Sequence, residues 1–365
     1  DFNIDNFAER DYASNEALIQ NDLNYFFKHG HAQILHKGDK YGYDYYAHVQ
    51  NYTGWMNWTF RYRGLRASFA GQVKRSGFWR EGLYRKGLFA GANEDGSDIY
   101  YNGELLTRYD RYGDIISSYG NSEKKHFTTY SGKAILSYSL LGGHRFEVSG
   151  GYFTEAPFFY KAVISPRTRN TLIPMMDKTK VYAADATYSL NNHHVNFRIT
   201  GFYAKIKDQT DVMSLYDDSQ NTFTNFAMSG IDERHMGVEM GFKAPIFMRG
   251  LFIVGAASYG EYIYTSNPQM TQTYYNTTEI IVDNVKIPYW MSHPVFKMDA
   301  DGNYIKDGKG HYIVEKYQKH YVPSTPQLAS SLGLSYNRNY WFVDANVNFF
   351  DKSYLAMNPL FRTEI

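Results

Sequence analysis

The sequence lacks cysteine, a net charge and a long apolar run, and each absence excludes a class of protein. With no cysteine in 365 residues, there is no disulfide framework, no thiolate metal site and no cysteine nucleophile. Lysine and arginine number 38 against 37 aspartate and glutamate, a net charge of +1, so electrostatics give no reason to expect a nucleic-acid partner. No run of about 18 apolar residues exists, which excludes an ordinary transmembrane helix.

Aromatic residues are abundant instead. The chain has 35 Tyr, 25 Phe and 5 Trp, together 18% of its residues. Tyr and Trp have an apolar body and a polar tip, which suits a boundary between apolar and aqueous phases or a sugar-binding groove. The first residues, DFNIDNFAER, have no signal-peptide pattern. An envelope protein with this sequence would therefore be a mature or partial chain.

Apolar and polar residues alternate in several long stretches, as strands with two different faces require. Between residues 195 and 203 every second residue is apolar or glycine. Similar alternation occurs at 65–74, 145–152 and 341–349. The pattern predicts ten strands, near 46–61, 65–80, 126–140, 144–156, 178–189, 194–212, 223–243, 250–266, 327–337 and 340–350.

The connections between these strands are alternately short and long. The short ones contain YRGL, LLGGH, SLNNHH, PIFMRG and YNRNY, in which Gly and Asn supply the positive φ angles of tight hairpins. The others cover roughly 81–125, 157–177, 213–222 and 267–326. Short turns at one end and long loops at the other are typical of outer-membrane barrels. We therefore expect an all-β fold, a transmembrane antiparallel β-barrel with long extracellular loops near 81–125 and 267–326.

This interpretation assigns the two faces of the strand near 194–212. Val195, Phe197, Ile199 and Tyr203 would face lipid, and Asn196, Arg198 and Thr200 would face an aqueous lumen. The same alternation occurs in a soluble sandwich, whose outer face meets water. Tyr-rich strand ends at 41–46 and 259–264 favour the barrel.

Three stretches resemble a known family. They are TEAPFFYKAVISPRTRN (154–170), FTNFAMSGIDERHMGVEMGFKAP (223–245) and PSTPQLASSLGLSYNRNYWFVDANVNFFDKSYLAMNP (323–359). They look like the barrel of TonB-dependent outer-membrane receptors, in particular those of Bacteroidota. The likeness lies in a Pro-aromatic segment before an Arg-rich and Asn-rich loop, in the Gly237-x-Glu239 step, and in the final hairpin.

The resemblance implies uptake of a large ligand, such as a glycan, peptide, siderophore or corrinoid. It implies a barrel of about 22 strands with a plugged lumen, powered by the TonB-ExbB-ExbD complex through the plug, with a surface lipoprotein as a further partner. No TonB box, plug or terminal closing aromatic is recognisable in the sequence. Residues 1–365 are therefore expected to be an internal portion of the barrel. No enzyme activity, cofactor or metal is implied.

Candidate ligand contacts are aromatic and arginine side chains in the long loops. Aromatic faces stack on sugars, and Arg grips carboxylates or phosphates. The selected residues are Trp79, Arg80, Arg85, Tyr101, Arg108, Arg167, Arg169, Tyr275 and Trp290, with Tyr84, Tyr100, Tyr109, Tyr274 and Tyr289 as further aromatics.

Two alternatives to a receptor remain open, a passive porin and a ten-stranded outer-membrane protease. The protease would need acid and His pairs at the barrel rim, and Asp110, Asp114 and His126 are the nearest set. The stretch DADGNYIKDG at 299–308 has acid spacing resembling a calcium loop. A polar hairpin tip is the alternative for that stretch.

Overall fold

The computed structural model describes residues 22–31, 33, 35–101, 103–110, 112–217, 221–274, 280–287, 290–291, 293–299 and 301–355. These residues form one large antiparallel sheet, three small two-stranded sheets, one α-helix and three short 3-10 helices. No described helix has the length and hydropathy needed to cross a membrane.

The helix, α1, covers Leu23–His29, and the 3-10 helices cover Gly87–Phe89, Leu141–Gly143 and Phe159–Lys161. The strands are β1 (Tyr45–Tyr62), β2 (Leu65–Gly82), β3 (Tyr100–Tyr101), β4 (Glu104–Leu105), β5 (Arg108–Tyr109), β6 (Ile115–Ile116), β7 (Gly120–Asn121), β8 (Lys125–Ser139), β9 (His144–Glu155), β10 (Thr179–Asn191), β11 (Asn196–Asp217), β12 (Thr222–Pro245), β13 (Leu251–Tyr264), β14 (Gln269–Tyr274), β15 (Ile280–Lys286), β16 (His293–Phe296), β17 (Val314–Gln318), β18 (Leu328–Arg338) and β19 (Trp341–Asp351).

Ten long strands follow one another in the main sheet in the order β1-β2-β8-β9-β10-β11-β12-β13-β18-β19. They match the ten predicted strands closely, and each neighbouring pair is antiparallel. The predicted connection 213–222 is wrong in length, because β11 runs to Asp217 and β12 begins at Thr222. Both strands therefore extend well beyond their neighbours.

Tight turns join alternate pairs of these strands. In the turn between β8 and β9, Gly142 and Gly143 have φ of 81° and 86°, which non-glycine residues rarely adopt. A Cβ on Gly143 would also collide with the backbone of Asn191. Glycine is therefore required at this turn.

The register gives the sheet one apolar and one polar face. On the apolar face, Tyr138, Phe146 and Tyr188 lie side by side. With Tyr62 and Phe197 they form the turn-end aromatic row. A second set nearer the long connections, the loop-end aromatic row, comprises Tyr52, Tyr130, Tyr152, Tyr182, Tyr203 and Tyr259. Small and aliphatic side chains, including the exposed Leu136 and Val148, lie between the two rows.

The polar face carries hydrogen bonds between side chains of neighbouring strands. Thr59 and Ser68 hydroxyls are 3.0 Å apart, and Thr187 and Thr200 hydroxyls are 2.9 Å apart. Ser149 donates to Asp185. Such pairs stabilise strand register at roughly 0.2–1 kcal/mol each.

The buried core lies at the long-connection end and not between two layers of sheet. Its largest cluster includes Phe226, Met228, Met270 and Trp290. It forms because β14, inside the predicted loop 267–326, pairs with the far half of β12. The longest connection therefore continues the sheet and is not an unstructured loop.

Candidate functional site

The long connections 83–124, 156–178 and 265–327 meet at one place. The amide nitrogen of Asn284 is 3.4 Å from the hydroxyl of Tyr112 and 3.9 Å from the sulfur of Met175. These three residues come from three different connections, each of which follows a different strand of the sheet. Binding residues are often found on connecting segments held by a rigid framework, so this meeting point is a candidate ligand site.

A groove of about 490 Å³ lies between the first two connections. That volume is in the range of small-molecule sites. Asp110, Asp114 and Glu123 line it from connection 83–124, and residues 170–176 line it from connection 156–178. We call it the loop groove.

Two of the carboxylates that line the loop groove make hydrogen bonds or an ion pair with residues close to them in sequence. The Asp110 carboxylate accepts the backbone N–H of Tyr112 at 2.8 Å and of Asp114 at 2.9 Å, which closes a tight turn. Glu123 pairs with Lys125 at 2.5 Å. The opposite wall presents Met175, whose side chain is 70% exposed. Carboxylate, amide and thioether groups together suit a ligand with both polar and apolar parts.

Arg80, a predicted ligand contact, holds the two walls together. Its Nε donates to the carbonyl of Pro166 at 2.7 Å and its Nη1 to the carbonyl of Ser118 at 2.8 Å. Nη1 also donates to the side-chain oxygen of Asn170, a groove residue. Its side chain is 1% exposed. Arg80 thus positions the groove and does not present its guanidinium to solvent.

Lys86 lies buried in the same cluster. Burial, and to a smaller extent the charge of Arg80, lower the pKa of its ammonium from 10.5 to about 8. Its backbone N–H donates to the hydroxyl of Ser118 at 2.8 Å. The same hydroxyl donates to the carbonyl of Phe89. A buried cation without a carboxylate partner among the described residues makes this cluster sensitive to pH.

Arg85 and Arg169 also make internal contacts. Arg85 donates to the carbonyls of Ala90 at 2.6 Å and Ala92 at 3.0 Å, and burial lowers its pKa. Arg169 is buried with its guanidinium 4.9 Å from the ring centre of Phe89. These two positions shape the connections.

The remaining predicted contacts are scattered. Tyr101 is buried beside Leu23 and Ile99. Arg108 is exposed, and Arg167 is exposed with its guanidinium 5.3 Å from the ring centre of Tyr43. Tyr275 lies outside the described residues, as does Tyr289.

Trp79 lies on the apolar face, opposite to Arg80. It stacks on His48 with ring centres 4.5 Å apart, and Lys124 Nζ is 4.7 Å from its ring centre. His48 in turn pairs with Glu81 at 2.6 Å. A ligand held over the polar face would not reach this ring.

Trp290 is buried in the core of connection 265–327. Its side chain is 1% exposed, and its ring centre is 5.0 Å from that of Tyr264 and 5.3 Å from that of His320. His320 Nδ1 is 2.8 Å from the Trp290 carbonyl. The indole packs the connection and does not offer a free stacking surface.

The residues that suggested a protease do not come together. Asp110 and Asp114 line the loop groove. Lys125 lines it too, and the next residue of β8, His126, points to the opposite face of the sheet and lies against Gly77. The described residues contain no cluster of three acidic, His or Cys side chains suited to a metal.

The acidic stretch at 299–308 forms two turns of the same design. Asp299 accepts the N–H groups of Asp301 and Asn303 at 3.0 and 2.8 Å. Asp307 accepts those of Lys309 and His311 at 2.8 and 2.9 Å. These hydrogen bonds lower the pKa of both carboxyls. The spacing that suggested calcium is that of successive Asx turns.

Sequence reasoning missed Asn170, Met175 and Asn284. It favoured arginines and aromatic rings, which here mostly hold the framework. A signal for Asn170 was present, since it belongs to the Arg-rich and Asn-rich loop that carried the family resemblance. Nothing local marks Asn284, because its role depends on contacts with residues 112 and 175.

No protein-family model matches the chain, and no curated protein matches it in sequence. Many solved structures are similar, and three of them illustrate the likeness. The copper transporter OprC has a TM-score of 0.52 at 12% identity, over 86% of this chain and 38% of that chain. The ferric-catecholate import receptor Fiu of E. coli K12, in its closed form, has a TM-score of 0.43 at 10% identity, over 88% and 37%. FpvAI in its complex with pyocin S2 has a TM-score of 0.25 at 9% identity, over 83% and 45%.

Of these three, OprC alone has a TM-score above one half, and at 12% identity it establishes the fold alone. The chain has the fold of an outer-membrane β-barrel wall, as predicted, and spans 38% of the length of OprC. Its alternation of Phe197, Ile199 and Tyr203 with Arg198 and Thr200 across the two faces is that of such a barrel.

Proposed function

We propose that this chain forms part of the barrel of a TonB-dependent outer-membrane receptor, which imports a ligand too large for passive porins. One observation carries the proposal: three long connections meet at one end of an OprC-like barrel wall. The apolar face, with its two aromatic rows, would meet lipid, and the polar face would line the lumen. The long connections would then be extracellular.

In this proposal the loop groove is where the ligand first binds. Met175 and Asp114 would contact it directly, while Arg80 keeps the two walls at a fixed distance. Arg108 and Arg167 are exposed and could extend the contact area around the groove. No bond of the ligand need be broken, so the protein would be a transporter and not an enzyme.

The ligand class remains that of the family: a glycan, a peptide, a siderophore or a corrinoid. OprC is a copper transporter and Fiu a ferric-catecholate importer, and neither cargo is assigned to this chain. The partners would be the TonB-ExbB-ExbD complex, acting through a plug in the whole receptor, and a surface lipoprotein. The resemblance to receptors of Bacteroidota rests on strands β9, β12, β18 and β19 and their flanking segments.

Binding of the TonB periplasmic domain tests this proposal without knowledge of the ligand. Purified full-length receptor is titrated with that domain by calorimetry, and single-channel conductance is recorded in planar bilayers. We expect saturable binding and a closed channel. A permanently open channel with no TonB binding would identify a passive porin instead.

Ligand class is tested in cells. Uptake of a ferric catecholate, cyanocobalamin, a peptide and a starch oligosaccharide is compared in cells with and without TonB. We expect uptake of one probe to depend on TonB and to fall when Met175 is replaced by Trp, which fills the groove. Tyr340→Trp, at a turn on the far end of the sheet, is the matched control.

A further inference from the structure

A row of basic side chains crosses the apolar face just beyond the loop-end aromatic row. Its members lie on β2, β10, β11 and β12 or their immediate extensions, and it is called here the cationic band. Its members are Arg75, Lys178, Lys180, Lys205, Lys207 and Arg234.

Register and contacts place these side chains on one face. Lys205 is opposite Tyr182, and Arg234 is opposite Lys205. Lys207 is opposite Lys180. These positions share the face of the loop-end tyrosines because side chains alternate strictly along each strand.

The other end of the band is fixed by contacts with β8. Arg75 is opposite Thr128 and donates to its hydroxyl at 3.3 Å. The Lys178 ammonium is 3.5 Å from the Thr128 carbonyl and 5.9 Å from the ring centre of Tyr130. The band therefore borders the tyrosine row, with Thr128 of β8 and Thr154 of β9 in place of cations between Arg75 and Lys180.

Positive charge in the band is only partly balanced. Lys180 pairs with Asp208 at 2.7 Å and Asp177 at 3.0 Å, and Arg234 pairs with Glu261 at 2.6 Å. Glu261 also pairs with Lys319. Within the described part of the chain, Arg75, Lys178, Lys205 and Lys207 have no carboxylate partner.

Two like-charged pairs stand directly opposite each other in neighbouring strands. They are Lys180 with Lys207 and Lys205 with Arg234. Like charges in such positions destabilise a sheet. An anion with more than one negative charge, bound between these pairs, would offset the repulsion between their positive charges.

The neighbouring tyrosines indicate what kind of anion would fit. Tyr152 and Tyr182 have ring centres 4.9 Å apart, and both are exposed on the apolar face. Aromatic rows of this kind mark the boundary between hydrocarbon and head groups. Beyond the turn-end aromatic row β8 and β10 continue with Leu140 and Leu190 on this face, and the cations near the turns, Arg63 and Arg338, stand singly instead of in a row. The charge therefore belongs to one leaflet.

We propose that the cationic band binds the phosphates of a multiply phosphorylated lipid in the leaflet on the long-connection side. The tyrosine row would contact the first carbons of its acyl chains, and the lysines of β11 would hold its phosphates. This inference rests on the proposed membrane location, and it is independent of ligand and energy coupling.

Lipid titration of the full-length receptor in detergent micelles tests the proposal. The probes are lipid A, which carries two phosphates, its dephosphorylated form, and inorganic phosphate, with bound lipid counted by native mass spectrometry. The test variant is Lys205→Gln with Lys207→Gln. The matched control, Arg66→Gln with Lys133→Gln, removes the same charge from the polar face.

We expect wild type and control to bind lipid A at least tenfold more tightly than the dephosphorylated form, and the test variant to lose most of that difference. Equal binding of both lipids, or equal loss in the control, would overturn the proposal. Displacement of lipid A by inorganic phosphate at equal concentration would show that the band binds free phosphate and not a lipid, which would also overturn the proposal. Heat-modifiable migration checks that each variant folds. If the variant Lys205→Gln with Lys207→Gln does not fold, Arg75→Gln with Lys178→Gln takes its place. TonB-domain binding should be unchanged throughout.

Discussion

Nε of Arg80 lies 2.7 Å from the carbonyl oxygen of Pro166, a residue 86 positions later in the chain. This bond, with those to Ser118 and Asn170, joins connections 83–124 and 156–178 at the base of the loop groove. Arg80 lies on the polar face of β2, two residues before the strand ends and connection 83–124 begins. Groove width therefore depends on the sheet itself.

Replacing Arg80 by Lys should loosen both connections. Lysine keeps the charge but cannot donate in three directions of one plane, so at least one buried carbonyl loses its donor. Hydrogen bonds to charged groups contribute about 1.5–3 kcal/mol each. We expect limited proteolysis within 83–124 to be roughly 10-fold to 100-fold faster in the purified receptor. Arg66→Lys, an exposed position on the same strand and face, should leave the rate unchanged.

Lys86 should make the stability of this cluster depend on pH. Its folded-state pKa of about 8 is below its ordinary value of 10.5, so the unfolded state binds more protons between these two values. The penalty for burying the charge is fully present below pH 8 and disappears as pH rises toward 10.5. We expect wild-type connections to resist proteolysis better at pH 9.5 than at pH 7.

The variant Lys86→Met isolates that effect. It should stabilise the connections at pH 7 by about 3 kcal/mol, the order implied by a shift of this size, and remove the pH dependence. Equal pH dependence in wild type and variant would show that another group is responsible.

Trp290→Ala should destabilise connection 265–327 by about 3–5 kcal/mol, because a large buried side chain leaves a cavity. Protease resistance of residues 265–327 measures the loss. Tyr317→Ala, at a position 62% exposed, is the control and should have little effect. Unchanged resistance of Trp290→Ala together with lost ligand uptake would restore Trp290 as a ligand contact.

The strands could be predicted from the sequence because their signals are local. Alternation and the Gly and Asn residues of the turns each involve only a few neighbouring residues, and nothing distant overrides them. Trp79 was selected as a ligand contact together with Arg80, although the alternation of strand faces separates them. It is adjacent to Arg80 and must point the opposite way, so strict alternation to the end of β2 would have separated the two candidates.

The loop groove could not be predicted in the same way. The contact between Arg80 and Asn170 joins residues 90 positions apart, and the pairing of β14 with β12 turns part of a long loop into sheet. Both depend on where the barrel wall places the connections. Composition suggested arginines and aromatics as ligand contacts, and of these Arg80, Tyr101, Arg169 and Trp290 are buried.

Cysteine accessibility should give the orientation of the sheet. Because this segment has no cysteine of its own, single substitutions report cleanly. We expect Met175→Cys to react with a membrane-impermeant maleimide in intact cells. Leu141→Cys, at a turn position 97% exposed, should react only after lysis. The reverse pattern would place the long connections in the periplasm and contradict the proposed function.

Arginine on the apolar face should hinder membrane insertion according to depth. Met240 and Val347 lie between the two aromatic rows, with 40% and 75% of their side chains exposed. An arginine near the bilayer midplane costs about 2–4 kcal/mol, and near the interface about 0–1 kcal/mol. We therefore expect Met240→Arg and Val347→Arg to insert poorly into liposomes. Phe197→Arg, in the turn-end row, should insert with a small loss.

The polar face supplies the decisive control. Asn346 adjoins Val347 on β19 and points to the opposite face. Arg at this position would meet water in the lumen, so Asn346→Arg should insert as well as wild type. Folding yield in liposomes, read by heat-modifiable migration of the full-length receptor, ranks the four variants. Equal yields for Val347→Arg and Asn346→Arg would mean that the apolar face does not meet lipid, because only hydrocarbon distinguishes the two positions so sharply.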